Sequence, residues 1–127
     1  MTETAVAGCR VLVVEDEMLI AIEIEDVLAE MGCEIVGPVG RLDEALALAG
    51  TEKLDAAILD VTIRGGNVFP VADILTARGV PFLLASGYGD WALPETMRDR
   101  ARLTKPFSTA DLEEQVMALC GKAEAKG

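Results

Sequence analysis

The sequence predicts one α/β domain, a doubly wound five-stranded parallel sheet with helices on both faces. Short apolar runs of strand length alternate with segments whose apolar residues return every three or four positions. Glycine or proline punctuates most of the junctions between them. The chain has 127 residues and is 51% hydrophobic, enough for one domain to bury its core without disulfides or a structural metal.

The elements read in order. Residues 10–14, Arg-Val-Leu-Val-Val, form a β-branched run expected to be a buried strand. In the helix expected over 18–31, Ile20, Ile24, Val27, Leu28 and Met31 share one stripe, and Glu23, Asp26 and Glu30 lie opposite. Gly32 ends it. Residues 34–36 make a weaker strand closed by Gly37 and Pro38, after which Leu42, Ala45, Leu46 and Ala49 keep helical spacing as far as Gly50. The third strand, 56–59, runs into Asp60. A loop with Gly65, Gly66 and Asn67 leads to a helix with Val71, Ile74 and Leu75 facing inward and Gly79 at its end. Strand four spans 81–85, with Pro81 at its start, where a missing N–H does least harm.

Two glycines and Pro94 interrupt residues 87–100, where a short helix is expected from about Pro94. A brief strand over 101–103 leads to Lys105-Pro106. Ser108 and Asp111 then mark the N-cap of a last helix carrying Leu112, Val116 and Leu119. The expected boundaries are a tail over 1–8, a domain over 9–120 and a polar tail over 121–127. No repeat, linker or second domain is read.

Charge narrows the function. Acidic residues outnumber basic ones 22 to 11, and a net charge of −11 repels a phosphate backbone, so direct nucleic-acid binding is disfavoured. No apolar run approaches the roughly 18 residues of a membrane span, and the first residues are acidic rather than basic, so a cytoplasmic protein is expected. There is no histidine. Cys9, Cys33 and Cys120 show no paired spacing and read as free thiols.

Three acidic residues lie just past apolar strands, Glu15 and Asp16 after the first and Asp60 after the third. In a doubly wound sheet these two strand ends are neighbours at the topological switch point, so the carboxylates converge from distant parts of the chain. Converging carboxylates repel unless neutralised, and an oxygen-only set favours a hard ion such as Mg²⁺. Ser86 after strand four adds a hydroxyl, and Lys105 after strand five adds a compact cation that can meet a phosphoryl oxygen.

These motifs, Val-Val-Glu15-Asp16-Glu, Ala-Ile-Leu-Asp60-Val, Ala-Ser86-Gly and Lys105-Pro106-Phe107, resemble those of response-regulator receiver domains, in that family's order and across residues 10–120. The resemblance implies the flavodoxin-like (βα)₅ receiver fold with strand order 2-1-3-4-5. It implies that Asp60 is the phosphoacceptor and that Ser86 and Lys105 contact the phosphoryl group. Asp16 and Asp60 would bind Mg²⁺ directly, with the backbone carbonyl of Thr62, and Glu15 through water; Mn²⁺ would substitute for Mg²⁺.

The chain departs from many receivers at Arg102, which stands where they carry a strand-five aromatic that swings inward. A buried swing of a guanidinium is costly unless it is paired. Leu84-Ala85-Ser86-Gly87-Tyr88 instead resembles the Phe-Ala-Thr-Gly-aromatic segment of the receiver subgroup nicknamed FAT GUY, with Leu for Phe and Ser for Thr. Tyr88, between Gly87 and Gly89, is therefore the alternative switch, with Trp91 close by.

The resemblance implies a stand-alone response regulator of a two-component system or phosphorelay. It would take its phosphoryl group from a sensor histidine kinase, or from a histidine phosphotransfer protein, and act on a downstream protein. Relay intermediate, phosphate sink and feedback regulator share this chemistry. The expected state is a monomer or weak dimer that is not a turnover enzyme. Two competing readings are a phosphate-independent binding module and a small aspartate-nucleophile phosphohydrolase. Against the hydrolase, Thr62 stands where an acid is needed, and no general acid follows the nucleophile.

Overall fold

The computed structural model describes residues 7–87 and 101–126. Its elements are β1 (Arg10–Val14), α1 (Met18–Glu30), β2 (Glu34–Val39), α2 (Leu42–Thr51), β3 (Ala56–Asp60), β4 (Thr62–Ile63), β5 (Gly66–Asn67), α3 (Phe69–Ala77), β6 (Phe82–Ser86), β7 (Ala101–Thr104) and α4 (Thr109–Lys126). The main sheet runs β2-β1-β3-β6-β7, every pairing parallel, which is the expected 2-1-3-4-5 order.

The strands read as continuous apolar runs because both faces are covered. Leu12, Val14, Ala57, Leu59, Phe82 and Leu84 point to the side where α2 and α3 contribute Ala45, Ala49, Val71 and Leu75. Their neighbours Val11, Val13, Ala56, Ile58, Leu83 and Leu103 point the other way, against Ile24, Val27 and Leu28 of α1 and Leu112, Val116 and Leu119 of α4. The predicted stripe of α1 is buried apart from the half-buried Ile20, and its acidic stripe is exposed. Full burial of one such side chain contributes about 1.5–3 kcal/mol, so two filled layers hold the strand ends in fixed register.

Several local expectations change. β2 continues through Gly37-Pro38 to Val39, because a shift in its pairing with β1 between Leu12 and Val14 absorbs the irregular dipeptide. A two-stranded hairpin, β4–β5, follows β3; Gly65 at φ +99° supplies a backbone conformation that side chains resist. The final helix passes Gly121 and runs to Lys126 rather than giving way to a tail at 121, since Lys, Ala and Glu are good helix formers and one glycine is tolerated. Ser108 Oγ does accept the Asp111 N–H at 3.0 Å, as the cap signature implied. The helix expected near Pro94 lies outside the described residues.

The cysteines need the largest correction. Cys9 and Cys120 are joined by a disulfide, with their Cα atoms 6.1 Å apart and a sequence separation of 111, and Cys33 stays outside the bridge. Local spacing has no access to a pair that only the packing of α4 beside β1 brings together.

Candidate functional site

Four strands deliver polar groups to one edge. β1 ends at Val14, so Glu15 and Asp16 emerge beside the end of β3, where Asp60 pairs in register with Ala85 of β6. Ser86 is the last residue of β6, opposite Thr104, and its carbonyl accepts the Lys105 N–H at 2.8 Å. That backbone bond fixes where the lysine side chain starts.

Ligand-type oxygens of Glu15, Asp16 and Asp60 all lie within 4.8 Å of one another. Glu15 and Asp60 are buried, and Asp16 is half-buried. Lys105 Nζ reaches Glu15 Oε1 at 3.0 Å and Asp60 Oδ2 at 3.2 Å. Among the described residues, one ammonium thus faces three carboxylates. The Asp60 carboxyl is pushed up to about 7 by burial first, then by the adjoining Glu15 carboxylate, and the pull of Lys105 does not cancel these. Burial alone would lower the Lys105 ammonium, but its contacts with Glu15 and Asp60 outweigh that and hold it above its ordinary value.

The surplus negative charge and all-oxygen donor set fit a hard divalent cation. Carboxylates this close and this dry are stable as anions only with another positive charge among them. Thr62 lies on β4, whose pairing with Asn67 on β5 and the backbone bond from Val68 N–H to the Val61 carbonyl at 2.9 Å hold that loop against the sheet.

The residues singled out from sequence as acid pair, acceptor, hydroxyl and lysine all stand on this edge. Arg102 is half-buried on β7 opposite Leu84. Tyr88 and Trp91 lie outside the described residues. Sequence reasoning missed the supports beneath the site. The Glu17 N–H donates to Glu15 Oε2 at 3.0 Å, and the Glu15 N–H donates to the Val39 carbonyl at 2.9 Å. A Cβ on Gly40 would come within 2.9 Å of Asp16 Cα, so only glycine lets the β2–α2 turn close behind the acid pair. Gly40, three residues after the Gly37 that closes the expected strand, is the sequence signal for this close approach.

A scan against protein-family models finds none that matches. The chain is nonetheless 38% identical over 107 residues to the transcriptional regulatory protein PdtaR of Mycobacterium tuberculosis, an alignment covering 81% of this chain and 52% of PdtaR. It spans about half the length of the curated relatives it matches. The solution structure of SdrG from Sphingomonas melonis Fr1 superimposes with a TM-score of 0.76 at 41% identity, covering 91% of this chain and 97% of SdrG. The receiver domain of the sensor histidine kinase PA1611 from Pseudomonas aeruginosa, solved with magnesium in its active-site cleft, matches with a TM-score of 0.73 at 22% identity, covering 91% and 99%. The second of these comparisons is close and nearly end to end, and with the fold and its carboxylate edge it defines the class: this chain belongs to the response-regulator receiver family of two-component signalling.

Proposed function

We propose that the chain accepts a phosphoryl group on Asp60 from a phosphohistidine and passes the signal on by protein contact. The observation that carries this reading is the cluster of buried Glu15 and Asp60 with half-buried Asp16, where the Lys105 ammonium meets Glu15 at 3.0 Å and Asp60 at 3.2 Å.

An Asp60 carboxylate oxygen attacks phosphorus in line; the new O–P bond forms as the P–N bond to the donor imidazole breaks, and the imidazole leaves with its electron pair. Lys105 neutralises charge on a phosphoryl oxygen, and the Ser86 hydroxyl donates to another. Asp16, Asp60 and the Thr62 carbonyl would hold Mg²⁺, with Glu15 acting through water. When bound, the ion screens the negative charge that Asp60 and the phosphoryl oxygens share. The product is a phosphoprotein, and no external substrate is turned over.

Met18 and Leu19 are 75% and 78% exposed on the first turn of α1, directly after the acid pair, with Ile22 one turn on. They offer an apolar surface on which a protein phosphodonor, a histidine kinase or a histidine phosphotransfer protein, packs beside the acceptor. No helix among the described residues is long and apolar enough to cross a membrane.

The test is to phosphorylate the full chain with phosphoramidate and Mg²⁺, reduce the acyl phosphate with borohydride and sequence the peptides. Homoserine at position 60 is the expected result. An unmodified position 60 with label elsewhere, or no label under conditions that label a control receiver, contradicts the reading.

A further inference from the structure

All three cysteines converge on one corner of the fold, at the end of the sheet away from Asp60. Cys9 directly precedes β1, and Cys120 lies in α4; both are buried in one apolar cluster with Val11, Leu28, Val116 and Leu119. Arg10 pairs with Glu34 in the β1–β2 ladder, so the preceding rung sets Cys33 beside Cys9. The Glu34 N–H donates to the Cys9 carbonyl and the Gly8 N–H to the Gly32 carbonyl, each at 2.9 Å, which holds that rung in place. Cys33 packs against the same cluster.

We propose that Cys9 and Cys120 form a reversible thiol–disulfide exchange site, reduced and re-formed by small thiols of the glutathione class, which fastens α4 to the start of β1. A Cα separation of 6.1 Å lies within the range a disulfide spans. The bridge is buried, but exposed Gly8 and Gly121 adjoin the two cysteines in the chain, so a small thiol reaches the sulfurs when the backbone at these glycines opens. The thiolate of the first small thiol attacks Cys9 Sγ; the S–S bond breaks and Cys120 leaves as a thiolate that takes up a proton. A second small thiol attacks the outer sulfur of the mixed disulfide and releases the Cys9 thiol. Two small thiols are oxidised to their disulfide as the protein gains two thiols, and the reverse reaction closes the bridge.

Reduction leaves two small apolar side chains inside a filled cluster, so the fold persists. The chain loses a bond that joins residues 111 positions apart in sequence, and such long loops stabilise most by restricting the unfolded ensemble. Redox state thus sets how firmly α4 is held, while the phosphoacceptor edge keeps its geometry. Burial pushes the Cys33 thiol up, which keeps it protonated and out of the exchange near neutral pH.

The full chain is equilibrated in buffers of graded reduced-to-oxidised glutathione, quenched in acid, unfolded and alkylated with N-ethylmaleimide. Of the three cysteines, one is expected to be alkylated in the oxidised buffers and three in the reduced ones, with the oxidised peptide map joining Cys9 to Cys120. Melting in the same buffers is expected to fall by on the order of 10 °C on reduction, while phosphoramidate labelling proceeds equally in both states. In Cys33→Ser the melting difference persists. Three alkylated thiols at every ratio, a bridge from Cys9 to Cys33, a bridge that survives the most reducing buffer, or equal melting temperatures would each overturn the proposal.

Discussion

Among the described residues, both ends of the sheet set one basic side chain against acidic ones, Arg10 at one end and Lys105 at the other, and they differ in almost everything else. At the start of the strands, Arg10 reaches Glu34 and Glu52 at 3.1 Å each and donates to the Lys53 carbonyl at 2.7 Å, while its backbone N–H donates to Asp55 at 2.9 Å. The Glu34 and Glu52 side chains are 61% and 40% exposed, so water shares their charge. At the other end, Lys105 faces Glu15 and Asp60, whose side chains are 1% and 9% exposed. Similar acidic surroundings make a surface clasp in one place and a site fit for a further cation in the other. Solvation decides which.

The largest effect expected from breaking this contrast is at Lys105. Lys105→Ala should slow phosphorylation by phosphoramidate about 100-fold or more, because a cation aimed at the transferring group is lost from a dry site. A single-turnover rate within a few-fold of wild type would show that the lysine is only a structural partner of Glu15. Asp16→Asn should weaken Mg²⁺ binding about tenfold or more by calorimetry, with little change in melting temperature.

pH sharpens the same comparison. The folded Asp60 carboxyl sits at about 7, above its ordinary value of 3.8, so its protonation stabilises the metal-free fold. That stability is fully present below the ordinary value and is lost as pH rises through about 7. Metal-free protein should therefore lose on the order of 2 kcal/mol between pH 5 and pH 8, and Asp60→Asn should flatten the dependence. Mg²⁺ should restore the stability at pH 8, where the carboxylate is free to bind it. The smallest effect is at the exposed end. Arg10→Ala should cost about 1 kcal/mol, shrink further in high salt and leave the phosphorylation rate within about twofold.

The order of strands and the set Glu15, Asp16, Asp60, Ser86 and Lys105 were legible in the sequence because each lies where an apolar run stops, and the parallel topology turns strand ends into one edge. The disulfide was not, since Cys9 and Cys120 meet only through tertiary packing. Nor was the β4–β5 hairpin, whose two-residue strands are too short to show alternation. Pro38 argued for ending β2, but an irregular pairing can absorb a proline, and composition does not report it. Gly121 argued for ending the last helix and was outweighed by the helix formers beyond it.

The most direct test of Asp60 as phosphoacceptor is the intact mass of the full chain after incubation with acetyl phosphate, with and without Mg²⁺, beside Asp60→Asn. One phosphoryl adduct is expected on the wild type, requiring Mg²⁺ and absent from the variant. An adduct that persists in Asp60→Asn, or one that forms equally well with the divalent ion chelated, would contradict the assignment of this carboxylate edge as the phosphoacceptor site.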